Sequence, residues 1–177
     1  MSEDMSDCVT NTSDDTYLKS MFYEQLVEHV FVSEVLQEVW FSFRKTVEVL
    51  RSEVDVSGYD LVFDCDGVVR HVQLKTSKHD AKASGQKVNV ALAKKPSGCV
   101  IWIMRREEQG RMIFDYKFFG GKAKTPLPSL DGFKVAKHSK GNALGIKMER
   151  KAIRVVPRGE FTEMSGIREL VKTLFGL

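Results

Sequence analysis

From Tyr17 to about Phe43 the chain has no glycine or proline, and its apolar residues recur at helical spacing. Leu18, Phe22 and Leu26 form one stripe. Phe31, Val35 and Val39 form another, with Leu36, Trp40 and Phe43 beside it. Glu24, Glu28 and Glu38 fall mostly off these stripes, so the segment predicts one long helix, or two shorter ones re-capped near Ser33. Beyond Arg44-Lys45 the period shortens to two. Thr46 to Leu50, Tyr59 to Phe63 and Val68 to Thr76 read as strands, the last two joined by the turn signal Asp66-Gly67. Cys99 to Met104 and Arg111 to Phe118 follow as two more strands separated by a charged turn at Gly110, and Ile153 to Val156 as a short one. Ile167, Leu170, Val171, Leu174 and Phe175 share one face of a closing helix. The order is helix, three strands, an irregular basic region, further strands and a helix, which predicts a mixed α/β layer architecture.

The 177 residues, 42% hydrophobic and 29% charged, suit one globular domain. Residues 1–16 are rich in Ser, Asp, Thr and Asn, and are expected to form a disordered acidic tail ahead of a single domain over 17–177. No apolar run approaches the length of a membrane helix, and the N-terminus is acidic, unlike a secretory signal. Cys8, Cys65 and Cys99 are scattered and odd in number, which argues against a disulfide framework and fits a reducing cytoplasm. The net charge of +3 conceals a division. Residues 1–60 carry 13 acids and 4 bases, while residues 61–177 carry 11 acids and 23 bases. Such asymmetry points to a polyanionic partner for the second part.

The chemistry concentrates in Gly58-Tyr59-Asp60 and, across the Asp-Gly turn, in His71-Val72-Gln73-Leu74-Lys75. Side chains alternate along a strand, so Gln73 shares a face with His71 and Lys75, and Asp60 shares one with Val62. Leu61, Phe63, Val72 and Leu74 then point the other way, into a core. On paired strands an acid, an amide and a lysine converge. An acid holds a hard divalent cation through oxygen, an amide oxygen supplements it, and a lysine clamps charge or orients water.

These residues resemble the active-site motif of the PD-(D/E)XK nuclease superfamily, in which an Asp on one strand is followed, across a hairpin, by an acid-x-Lys triplet. Here Asp60 matches the first element and Gln73-Leu74-Lys75 the second, with Gln in place of the acid as in Mrr-like members. The resemblance spans roughly residues 20 to 105. It implies a restriction-endonuclease-like α/β fold, a mixed sheet flanked by helices. It also implies a Mg²⁺-dependent DNA phosphodiesterase with Mn²⁺ as substitute, the metal being held by Asp60, a helix glutamate, the Gln73 oxygen and the Leu74 carbonyl. Glu34 best fits the helix element, with Glu38 and Glu28 as alternatives. Lys75 would position water or stabilise charge on the scissile phosphate. Many enzymes of this fold act as dimers, so the resemblance also admits a homodimer.

Lys78, Lys82, Lys137, Lys140 and Arg150 are the expected contacts to the DNA backbone, where phosphate pairing gives affinity without base specificity. A second reading keeps this basic face on a degraded site and makes the protein a non-catalytic nucleic-acid-binding module. A third makes the apolar first helix a docking element of an interaction protein.

Overall fold

The computed structural model describes residues 12–52, 57–138, 145 and 147–177, with side chains from residue 18 onward. Its elements are α1 (Thr12–Phe43), β1 (Glu48–Arg51), β2 (Leu61–Cys65), β3 (Val68–Lys78), β4 (Gly85–Asn89), β5 (Gly98–Glu108), β6 (Arg111–Gly120), β7 (Lys134–Lys137), β8 (Glu149–Pro157), β9 (Thr162–Met164) and α2 (Ile167–Phe175). The first helix is continuous through Ser33 and begins at Thr12, ahead of the start at Tyr17 that its apolar spacing suggested. Residues 1–11 of the acidic tail lie outside the described residues.

Six strands form a mixed sheet in the order β1-β2-β3-β5-β6-β9. The first three make an antiparallel meander, and Asp66 and Gly67, at φ of 50° and 75°, give the β2–β3 hairpin the left-handed pair that a tight turn needs. β5 then returns parallel to β3, with His71 opposite Gly98 and Lys75 opposite Trp102. A parallel pair needs a crossover. Here the crossover is β4 and a short 3₁₀ turn, Val90–Lys94, and β4 belongs to a second, antiparallel sheet of order β4-β8-β7.

The large sheet is therefore covered on both faces. Phe31, Val35 and Val39 of α1 and Leu170, Val171 and Leu174 of α2 bury one face, together with Leu61, Phe63, Val72, Ile101 and Ile103. Val88, Leu92 and Val156 cover the other, against Val100, Trp102 and Met104. β5 is buried on both sides, which is why Cys99 to Met104 reads as an unbroken apolar run. The Leu18, Phe22 and Leu26 stripe of α1 does not join the core. These side chains face solvent, as do those of Leu36 and Trp40.

Three strands were absent from the sequence pattern: β4 lies in the region that read as irregular and basic, and β7 and β9 lie beyond Phe118. β8 runs nine residues where a short strand over 153–156 was expected.

Candidate functional site

Asp60 stands just before β2. Leu61 pairs with Val72, and the Asp60 N–H donates to the Val72 carbonyl at 2.9 Å, so Asp60 and Leu61 both stand against Val72 and Asp60 steps out of the regular register. Regular pairing with β2 stops there, which leaves the Leu74 N–H at the sheet's edge without a ladder acceptor. The Asp60 carboxylate takes it, Oδ2 accepting the Leu74 N–H at 2.6 Å. A charge-assisted bond of this kind fixes the carboxylate against the strand that carries Lys75.

The geometry upstream depends on Gly58, whose φ of +73° lies in the left-handed region. A Cβ there would fall 2.6 Å from the Asn89 Cβ. Gly58 thus turns the chain into Asp60 while packing directly on the end of β4. Asn89 in turn accepts the Ala91 N–H on its Oδ1 at 3.0 Å, capping the 3₁₀ turn.

Asp60, Leu74, Lys75 and Thr76 line one cleft, of about 450 Å³, with Glu24 and Glu28 across it on α1. Asp60 and Lys75 both line this cleft, together with Leu74, which the alternation had turned into the core and whose side chain also packs against that core. Gln73 is not among the cleft's lining residues. It is 4% exposed, and its Oε1 accepts the Asn89 N–H at 3.4 Å, so its amide braces the crossover. Its strand neighbour His71 lies edge-on to Tyr59, and burial, with Lys95 nearby, lowers its pKa below the ordinary histidine value.

Glu34 is elsewhere. It lies against Tyr116 of β6, whose hydroxyl donates to Glu34 Oε2, and partial burial raises its carboxyl pKa. From Glu28 to Glu34 the helix advances about 9 Å and turns about 120°, so the two carboxylates serve different parts of the sheet. Glu38 sits beside Glu34 in a second hollow near Ile167, its Oε1 3.9 Å from Arg168 Nε. Of the three helix acids weighed from the sequence, Glu28 reaches the Asp60 cleft, and Glu24, which was not weighed, joins it. Glu28 also accepts from Arg51 Nε at 2.6 Å.

The cleft continues past Glu24, Val27 and Thr76 to a groove lined by Lys19, Tyr23 and Arg105, and from Arg105 to one lined by Lys78, His79 and Arg106. Lys19, Arg105 and Arg106 were missed in the sequence because nothing in their local spacing ties them to Lys75. Only the parallel pairing, which sets Lys78 opposite Arg105, places the end of β5 beside the end of β3. These cations are held by neighbours. Arg105 stacks 4.3 Å over the Tyr23 ring and donates to its hydroxyl at 2.7 Å, while Asp115 accepts from both Arg106 and His79.

Among the described residues, the remaining basic positions are not among those lining these grooves. Lys82 is exposed in the β3–β4 connection. Lys137 and Arg150 are exposed on the small sheet, opposite Glu149 and Ala136 respectively. Lys140 lies outside the described residues.

Among the described residues no three His, Cys, Asp or Glu side chains are grouped closely enough to hold a metal ion. What the cleft offers is one strand carboxylate and the Leu74 carbonyl, which leaves the strand on the same side as the Leu74 N–H. Such a set suits Mg²⁺ only where water and a substrate phosphate complete the octahedron. No known family model matches the chain, and no curated protein matches it. No helix among the described residues is long and apolar enough to cross a membrane.

Proposed function

We propose that the chain is a Mg²⁺-dependent DNA phosphodiesterase with a restriction-endonuclease-like core and a Gln-x-Lys variant of the PD-(D/E)XK site. The observation that carries this reading is the Asp60–Leu74 bond. It sets an acid and Lys75 in one cleft, at the end of a hairpin preceded by a long helix that adds Glu24 and Glu28. That is the order of elements the motif requires.

In this reading Asp60 and the Leu74 carbonyl are the protein's ligands to Mg²⁺, which would supply positive charge at the phosphate oxygens. The Lys75 ammonium stabilises charge that builds on the phosphate during attack, an effect strongest in the transition state. Glu28, across the cleft, is placed to accept a proton from water. Gln73 keeps β4 and the crossover seated behind Asp60 and makes no contact with substrate. The groove past Tyr23 and Arg105 to Lys78 gives the backbone a path away from the reacting phosphate.

A second reading is favoured by the sparse donor set and the inward-turned Gln73: the same cleft and groove bind nucleic acid without cutting it. One assay separates the two. Supercoiled and linear DNA are incubated with the full chain and Mg²⁺ or Mn²⁺, with EDTA as control. Divalent-dependent cleavage is expected, abolished by Asp60→Ala. It should be reduced in turnover more than in DNA binding by Lys75→Ala, and be unaffected by Glu34→Gln. Binding without cleavage by the wild-type chain establishes the binding module. Cleavage that survives Asp60→Ala overturns the site.

A further inference from the structure

The solvent face of α1 carries a pattern that the core does not account for and that meets the cleft only at Gln25. Phe22, Leu26, His29, Ser33, Leu36 and Trp40 follow one another at intervals of 4, 3, 4, 3 and 4, the 3.5-residue period of a coiled-coil seam. The opposite side of the same helix, through Phe31, Val35 and Val39, is already sealed in the core. The apolar members of the outer seam are exposed: Phe22 by 67%, Trp40 by 51%, and Leu26 and Leu36 by 37% and 38%.

The seam is also symmetric about position 31. Phe22 mirrors Trp40, Gln25 mirrors Gln37, Leu26 mirrors Leu36 and His29 mirrors Ser33. Its local hydrogen bonds mirror as well, since His29 Nδ1 lies 2.7 Å from the Gln25 carbonyl oxygen and Gln37 Nε2 donates to Ser33 Oγ at 2.9 Å. No Lys, Arg, Asp or Glu occupies any of these eight positions, although Glu24, Glu28, Glu34 and Glu38 crowd the rest of the same helix.

We infer that α1 is the contact of an antiparallel homodimer, two copies of this chain laid together about a two-fold axis that passes beside position 31. A two-fold axis demands a patch that complements its own inversion. A stripe running aromatic, Leu, polar, polar, Leu, aromatic meets that demand only when the partner helix runs the other way. Aromatic then packs on aromatic, Leu26 on the partner's Leu36, and imidazole meets hydroxyl in the central layer. In antiparallel coiled coils each layer joins an a position to a d position, and all three of these pairs do so. Leu26, Leu36 and the two aromatics present about 400 Å² of surface per chain, so a pair hides roughly 800 Å² from these alone, and the exposed Gln25, His29, Ser33 and Gln37 carry the total past about 1,000 Å², the lower bound for a specific interface. The absence of charge from the seam removes the like-charge penalty that an acidic helix would otherwise meet against its own copy. Nothing in this inference depends on the cleft or on nuclease activity.

The test is sedimentation of the full chain over a concentration series, with Leu26→Lys and Leu36→Glu made singly and then together. The wild-type chain is expected at twice its 20.1 kDa mass. Each single substitution enters the interface twice and should weaken dimerisation by about a hundredfold or more. In the double variant every introduced lysine faces an introduced glutamate across the antiparallel seam, and the dimer should return. A parallel seam would set lysine against lysine and leave the double variant monomeric. Both positions are exposed, and circular dichroism confirms folding of each variant. A monomeric wild type, dimers indifferent to the single substitutions, or a double variant that stays monomeric overturns the inference.

Discussion

Replacing Arg70 should unsettle this protein more than almost any other polar substitution. Arg70 is an inward-facing residue of β3 with no exposed surface. Its Nη1 donates to Ser97 Oγ at 2.9 Å and to the Lys122 carbonyl at 3.1 Å, and its Nη2 donates to the Gly121 carbonyl at 3.0 Å. The guanidinium also lies 5.5 Å from the centre of the Phe118 ring. It thereby ties the hairpin strand to the turn before β5 and to the loop leaving β6. Arg70→Met keeps most of the volume and removes the donors. Two carbonyls lose their partner at about 1–3 kcal/mol each, partly offset because a buried guanidinium no longer has to be desolvated, so the expected loss is about 2 kcal/mol. Arg70→Ala adds a cavity and should cost about 4–5 kcal/mol. With a urea m-value of about 2 kcal/mol/M for a chain of this size, the midpoint should fall by about 1 M for Met and about 2 M for Ala. Equilibrium unfolding followed by tryptophan fluorescence measures both. A Met variant at or above the wild-type midpoint would show that water serves the two carbonyls as well as the guanidinium does, and would refute the clamp.

Glu34→Gln tests the buried Tyr116 contact. Because burial raises the Glu34 pKa, its ionisation favours the unfolded chain. The stability it contributes is complete below the ordinary value of 4.5 and is lost as pH rises through the folded-state value. The Gln variant, having no proton to lose, should therefore gain in Tm relative to wild type as pH rises above about 4.5, and a pH-independent difference would count against the assignment. Gly58→Ala combines a left-handed backbone with a Cβ 2.6 Å from the Asn89 Cβ and should cost about 2–4 kcal/mol in urea unfolding. Gly67→Ala, at φ +75° but in open space, should cost only about 1–2 kcal/mol, and equal losses would show that the Asn89 contact is unimportant.

The elements that the sequence revealed are those in which burial imposes a rhythm. Leu61 and Phe63 alternate with half-exposed residues, β5 is apolar throughout because both its faces are covered, and Asp66-Gly67 can make few other turns. β4 escaped because Val88 is its only buried side chain, and one apolar residue in five has no period. Asp60 and Lys75 meet at the cleft because the hairpin returns β3 beside Asp60, although alternation sets Lys75 on the strand face of the buried Gln73. The helix acid was not legible. Glu24, Glu28, Glu34 and Glu38 are alike in local context, and the point at which β2 passes under α1 selects among them. Gln73 shares its strand face with Lys75, but whether its amide turns outward or inward depends on Asn89, which reaches it from a separate sheet.

The crossover built from β4 has a consequence for how the chain acquires its shape. Gly85–Asn89 pairs with Ile153–Pro157, strands separated by more than sixty residues, whereas β6, the partner of β5, follows it directly. During synthesis the meander, β5 and β6 can be joined once residue 120 has emerged. The apolar face bearing Val100, Trp102 and Met104 must wait for β8 before the small sheet can close over it. At ribosomal speeds of about 5–20 residues per second, that wait lasts several seconds. For that interval a newly made chain is a half-covered sheet with a long apolar strand at its centre, and it is then that aggregation competes most directly with folding.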